Sequence, residues 1–392
     1  MMIVRVPANP EVIRWAVERS VFADSLLEND PKVRSWVEGQ QSPTWKQLRD
    51  FAEKVGTPVG FLLLDSIPRR TLPVADFREG FLTDSHENSA ELHAVLNVCQ
   101  RRQDWFVELV KQEGREPLSI VGSANGWSVS KAAKAIRQAM EFEVASRRGS
   151  VADQRRKLIS RFEELGGLTV VNSMVNDNCH RPLDPDEFRG FSLVNEFAPL
   201  IFVNSAQTLN GQLFTFAHEL AHVWHGAGGI DNATVASQSK DPIERWCNEV
   251  AGEFLVPRDD LLQRLKGKKV PSPGKDEFTE FLEVLARVYK CGTLVVLHAL
   301  KRTDYIGQTA FSAIYEAERK RLMEFAQTHK SVSGGGNINF SRRYRIGEAF
   351  SHAVVKELAA GRIQPTQVLS LTGIRSMKSF DSYAEFLAEQ GF

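Results

Sequence analysis

The feature that most constrains this chain is a short run inside an apolar stretch, Phe214-Thr-Phe-Ala-His218-Glu219-Leu-Ala-His222-Val-Trp-His225-Gly226. Two residues four apart on a helix lie on one face, so the imidazoles of His218 and His222 can reach a single cation. Glu219 stands beside them, where its carboxylate can deprotonate metal-bound water. The five-residue pattern alone recurs by chance in long chains, and a pair of surface histidines is the bland alternative. The flanks argue against it. Phe214, Phe216, Leu220, Val223 and Trp224 surround the polar groups, and burying these without a ligand costs roughly 1–3 kcal/mol for each group left unpaired. A metal is the expected ligand. Zinc lowers the pKa of bound water toward ~7 and so yields a nucleophile at neutral pH. His225 reads as a helix-end histidine facing the terminal carbonyls.

A catalytic zinc takes a third protein ligand, and the segment Ile243-Glu244-Arg-Trp-Cys247-Asn248-Glu249-Val-Ala251-Gly-Glu253-Phe-Leu255 carries the candidates. At about 100° per residue, Cys247, Ala251, Phe254 and Leu255 form an apolar face. Glu244 lies at the edge of that face and Asn248 one turn beyond it. Glu249 and Glu253 fall on the opposite side. A carboxylate that enters a buried site should come from the apolar side, which favours Glu244, with Asn248 as a supporting partner. Glu249 remains the alternative ligand.

With 392 residues the chain suits two or three domains, and 42% hydrophobic content is enough to bury substantial cores. Forty-nine basic residues balance forty-nine acidic ones, which excludes a protein that coats polyanions through excess charge. The zero is a sum of small opposite terms: +1 over residues 1–70, −1 over 71–149, −3 over 150–270 and +3 over 271–392. Cys99, Cys179, Cys247 and Cys291 include no CxxC pair, so reduced thiols are expected rather than a disulfide framework. The N-terminus lacks the apolar core of a signal peptide, and no stretch approaches the ~18 apolar residues that span a bilayer. A cytoplasmic location is expected, with no membrane partner.

Read in order, Asp186-Glu-Phe-Arg-Gly190-Phe-Ser-Leu-Val-Asn, then Ala198-Pro-Leu-Ile-Phe-Val-Asn204, then the His218–His222 helix and the Glu244 helix resemble the ImmA/IrrE family of zinc metallopeptidases. The resemblance covers roughly residues 150–270. Cys247 and Val250 stand where the family usually has Ala and Phe, and both changes keep the helix apolar. The resemblance implies a zincin-like fold, with His218, His222 and Glu244 on Zn2+ and Glu219 as general base. It also implies limited proteolysis of a helix-turn-helix repressor. His180 and Tyr289 are candidate donors to the oxyanion.

The run Val33-Arg34-Ser35-Trp36-Val37-Glu38-Gly39, followed by Ser42-Pro43-Thr44 and Gln47-Leu48, resembles the Xre/Cro helix-turn-helix family, with Val37 inserted between Trp36 and Glu38. Asp30 is the expected N-cap of the recognition helix and Ser42 that of the next. Base edges would be read by Lys32, Arg34 and Ser35. A module charge of only +1 leaves double-stranded DNA and a protein partner both open. Proteins of this layout act as regulators in mobile-element or toxin–antitoxin-like loci, so a regulator whose zinc fold mainly binds a partner is the competing function. The expected fold is α+β and mainly helical. Residues 1–70 form the helix-turn-helix bundle, and 71–149 a linker and helical segment. The peptidase core with its small sheet spans 150–270, and 271–392 is a helical region. There the Arg342-Arg343-Tyr344-Arg345 cluster reads as a solvated helix start, and Gly334–Gly336 as a flexible break.

Overall fold

The structure is a computed structural model describing residues 5–20, 22–68, 75–76, 88–231, 241–268, 271, 276–328 and 337–390. Much of the start of the expected linker segment of 71–149, over 71–74 and 77–87, and the three glycines of 334–336 lie outside the described residues. In chain order come helices α1 (Pro10–Glu18), α2 (Ala23–Asn29), α3 (Pro31–Val37) and α4 (Trp45–Lys54), strand β1 (Ala75–Asp76) and the long helix α5 (Ala90–Gln112). Helices α6 (Val129–Ala139) and α7 (Val151–Glu164) precede strands β2 (Leu168–Asn172), β3 (Met174–Val175), β4 (Asn178–Pro182), β5 (Gly190–Leu193) and β6 (Leu200–Asn204). Then follow α8 (Leu209–His225), β7 (Gly229–Asp231), α9 (Pro242–Leu255), α10 (Arg258–Leu265), α11 (Asp276–Tyr289), α12 (Thr293–Arg302) and α13 (Gln308–Thr328). The chain closes with α14 (Ile338–Ile346), α15 (Glu348–Ala359), α16 (Pro365–Thr372) and α17 (Met377–Glu389). The class is α+β and mainly helical, as the sequence led us to expect.

The chain divides into two compact units. The first draws on residues 1–73, 80–100 and 173–183. Its core is built by Val12, Ala16, Leu26, Val33, Trp36 and Phe51, one face from each short helix. Asp30 caps α3 as expected, accepting from the N–H groups of Lys32 and Val33, with Pro31 at the first helical position. The start of α4 differs from expectation. Thr44, not Ser42, is the cap, because Thr44 and Gln47 form a reciprocal capping box that fixes the first turn two residues later.

The second unit comprises 74–79, 101–172 and 184–392 and carries a five-stranded sheet in the order β1-β7-β5-β6-β2. β6 lies between β5 and β2, parallel to β2 and antiparallel to β5. All of its residues are buried, as expected where a sheet is covered on both faces. The core that packs α6, α8, α9, α11 and α12 together includes Phe216, Leu220, Phe254, Tyr289 and Leu297.

Two buried arginines hold helix ends in this unit. Arg147 donates to Phe254 O (3.1 Å), to Leu255 O and to Tyr289 O (2.9 Å), which are the last carbonyls of α9 and α11. Burial pulls its pKa down to about 10. Arg102 likewise donates to Arg345 O, Leu371 O and Thr372 O, at the ends of α14 and α16. A helix leaves its last four carbonyls without internal partners, and one five-donor guanidinium serves two such ends. The Arg342–Arg345 cluster corrects an expectation too: it lies in the second half of α14 and is half-buried, not a solvated start, because this helix packs against β2. Replacing Arg147 by Met should lower stability by roughly 3 kcal/mol or more, since several buried carbonyls lose a charged donor at once. Chemical denaturation of the two proteins checks this; an unchanged midpoint would refute it.

Candidate metal centre

α8 begins at Thr208, whose side chain accepts from Gly211 N–H, and ends at Gly226 in the left-handed region at φ 89°. Gln212 through Trp224 are all buried. His218, Glu219 and His222 are 2%, 0% and 0% exposed, and Glu244 on α9 is 1% exposed. Asp241 caps α9 through the N–H groups of Ile243 and Glu244, which sets the carboxylate on the first turn facing α8.

Three side chains converge. The Nε2 atoms of His218 and His222 are 3.0 Å apart. Glu244 Oε2 is 3.2 Å from His218 Nε2, and Glu244 Oε1 is 2.9 Å from His222 Nε2. Among the described residues these three form the group whose ligand atoms all lie within 4.8 Å of one another. The turn at Gly226 brings the Ala227 carbonyl back to His222 Nδ1, at 2.8 Å. With Nδ1–H donating there, the neutral ring turns the lone pair of Nε2 toward the carboxylate and the other imidazole. Acceptors facing acceptors in a dry site call for a proton or a cation between them. Two imidazoles and one carboxylate suit a divalent metal ion, and the group is positioned to bind one.

The electrostatics agree. Burial alone disfavours a charged ring, yet Cys247 and Glu244 beside it hold His222 well above the ordinary histidine range. Burial pushes the Glu244 carboxyl up, and hydrogen bonds from both histidines more than offset this and hold it well below the ordinary carboxylate range. Glu219 lies on α8 itself, and its Oε1 is 3.0 Å from the point a Cβ on Gly190 of β5 would occupy.

The remaining expectations divide. Glu249 is exposed and takes no part in the group, so α9 has the phase that favours Glu244. Glu253 corrects the helical wheel: it is 8% exposed, accepts from Arg258 N–H at 3.0 Å and faces Arg302 at 3.8 Å. α9 is enclosed by α6, α8 and α12 and has little solvent side. Asn248 makes no hydrogen bond to Glu244; both polar atoms of its amide are buried without a partner among the described residues. His225 does not face the helix-end carbonyls. Its ring packs edge-on against Trp246, while Gly122 N–H and Ala124 N–H donate to Val223 O and Trp224 O. Tyr289 donates its hydroxyl to Asp260 at 2.7 Å, which leaves no proton for an oxyanion, and His180 is exposed on β4 of the first unit. Sequence reasoning missed Cys247 against His222, the Ala227 carbonyl and the close approach of Gly190 to Glu219. Of these, only the glycine before Phe191 left a mark in the pattern.

In the first unit, Lys32 is exposed at the start of α3. Arg34 donates to Leu27 O and Glu28 O at the end of α2, at 2.7 to 3.0 Å, and Ser35 Oγ donates to Lys32 O at 2.8 Å.

Residues 177–301 match the family model described as Peptidase_M78, IrrE N-terminal-like domain. The match contains α8 and α9 and ends in α12, so the stretch that carries the site is similar to a metallopeptidase family. No curated protein and no solved structure matches the chain. No helix among the described residues is long and apolar enough to cross a membrane.

Metal binding should be pH-dependent in a stated direction. Because neighbouring groups raise His222, the site without metal holds its proton more tightly than a free imidazole, and metal must displace it. Apparent affinity should therefore rise with pH, about tenfold per unit for one displaced proton, until the raised value is passed. Competition with a chelating dye measures this, and a flat profile would contradict it. His222→Ala should abolish binding, Glu244→Ala should weaken it roughly 100-fold or more, and Glu249→Ala should leave it unchanged.

Proposed function

We propose that this chain is a zinc-dependent metalloendopeptidase that regulates by limited proteolysis of a partner protein, with a helix-turn-helix repressor or toxin-like protein as the substrate class. The observation that carries the reading is the buried His218–His222–Glu244 triangle with Glu219 on the same helix, inside the stretch similar to the peptidase family. When bound, zinc supplies Lewis acidity, polarising the scissile carbonyl and making water acidic enough to attack near neutral pH. Glu219 then acts as general base: its carboxylate takes a proton from the attacking water and returns it to the leaving amine. His222, held by the Ala227 carbonyl, and His218 would hold the ion through their Nε2 atoms, and Glu244 would neutralise part of its charge. The apolar wall around α8 excludes other water, which strengthens each of these interactions.

The competing reading, a DNA-binding regulator or antitoxin-like protein whose zinc fold mainly binds a partner, draws on Lys32 exposed at the first turn of α3. Against it, Arg34 and Ser35 engage backbone carbonyls of their own unit. The peptidase reading therefore leads.

Glu219→Gln separates the two. It should lower cleavage by roughly 10²–10⁴-fold while zinc content by elemental analysis stays near that of the natural chain. The protein that accumulates uncleaved in cells carrying the variant is the substrate. Regulation that persists unchanged in those cells would defeat the proteolytic reading.

A further inference from the structure

We infer that Gly190 is a positioning residue for Glu219: the side-chain-free step of β5 is the seat on which the Glu219 carboxylate rests. The inference builds on the proposed peptidase reading and concerns how the base is aimed.

Gly190 is an ordinary strand residue, paired with Val203 of β6 and Asp231 of β7. Its φ is not in the left-handed region, so no backbone requirement selects glycine there. The requirement is space. A Cβ at this position would lie 2.5 Å from Thr215 Cγ2, 2.9 Å from Phe202 O and 3.0 Å from Glu219 Oε1. None of these three nearest atoms belongs to His218, His222 or Glu244. Thr215 and Glu219 are four residues apart, so they stack on one face of α8, the face turned to β5.

The neighbours have little freedom to yield. Thr215 Oγ1 donates to Gln207 Oε1 at 3.1 Å, which fixes the rotamer and directs the methyl group at Gly190. Gln207 is itself held, with Nε2 donating to Arg189 O at 2.8 Å and Asn204 O at 3.0 Å. Phe202 O is backbone of β6, which is paired on both sides. Of the three contacts, the carboxylate is the one that can move, and a methyl group at position 190 displaces it. Close helix–strand packing would explain a small residue here, but it would not explain why one wall of the gap is a carboxylate oxygen. The contact asks the carboxylate to give by a few tenths of an ångström, and since a misplacement of about 1 Å costs on the order of 10²-fold in rate, a smaller loss of about tenfold is expected.

The test compares Gly190→Ala, Glu219→Gln and the double variant Gly190→Ala/Thr215→Ser in the full zinc-loaded chain. Thr215→Ser removes the methyl group that makes the tightest contact and keeps the hydroxyl for Gln207, so it relieves strain without reopening the carboxylate's seat. Three quantities are read: zinc affinity by chelator competition, thermal midpoint, and the dissociation constant of acetohydroxamic acid. That probe loses its O–H proton as it chelates a divalent metal, and Glu219 is the base placed to accept it. Gly190→Ala should hold zinc within about threefold of the natural chain and bind acetohydroxamate about tenfold more weakly, matching Glu219→Gln, as expected for one lost charge-assisted hydrogen bond. The double variant should regain part of the lost thermal midpoint, the Phe202 O contact remaining, and none of the acetohydroxamate affinity. Unaltered acetohydroxamate binding in Gly190→Ala, recovery of that binding together with stability in the double variant, or loss of zinc in step with both would overturn the inference. Because no substrate is turned over, a chain that cleaves nothing would defeat the peptidase reading and leave this result interpretable.

Discussion

Three polar side chains that meet in the dry interior, His218, His222 and Glu244, set the terms for the rest of the second unit. Desolvating two imidazoles and a carboxylate is unfavourable unless a cation or proton lies among them. The surrounding structure is arranged to make that exchange reproducible. α8 supplies both imidazoles at one-turn spacing, and Asp241 starts α9 where Glu244 comes into reach. The Gly226 turn returns a carbonyl to His222 and so selects which ring nitrogen is offered. Each device is local, and all depend on α8 and α9 being held against each other.

That holding is done largely at helix ends. The loop at Gly122–Ala124 satisfies the last carbonyls of α8, and Arg147 satisfies those of α9 and α11 together. A helix end buried without partners would be unstable, so these contacts let the helix that carries both histidines terminate inside the protein. They also free His225 from a capping role and leave it to pack on Trp246. The same principle recurs with Arg102 at α14 and α16. The buried guanidiniums thus act as cross-links between helix termini that lie far apart in the chain.

The charge balance takes on meaning against this architecture. The −3 stretch of residues 150–270 includes the group positioned to bind a metal ion, and much of its acid is structural: Asp241 and Asp153 cap helices, and Asp260 accepts from Tyr289 and Arg264. The small N-terminal unit shows the converse. Its few basic groups near α3 are partly engaged in stabilising a seven-residue helix, with Arg34 holding the end of α2. Short helices need such caps because they have few internal hydrogen bonds.

Much of the fold and site was legible in the sequence because it rests on local rules. The spacing of His218 and His222, the phase that singles out Glu244 over Glu249, the Asp30 cap and the α+β class follow from helical periodicity and capping chemistry. Where those rules failed, the deciding atoms were distant in sequence. Thr44 outcompeted Ser42 through Gln47, a short-range effect that the pattern Ser-Pro-Thr disguised. Glu253 is buried because α6 and α12 cover the side of α9 that a helical wheel assigns to solvent. By itself the sequence determined that two histidines and two glutamates would share a buried helix pair. Only the tertiary structure decided how they are aimed. The Ala227 carbonyl on His222, the Cys247 thiol beside it and the gap at Gly190 under Glu219 arise from contacts between segments, and no one-dimensional periodicity encodes a contact between segments.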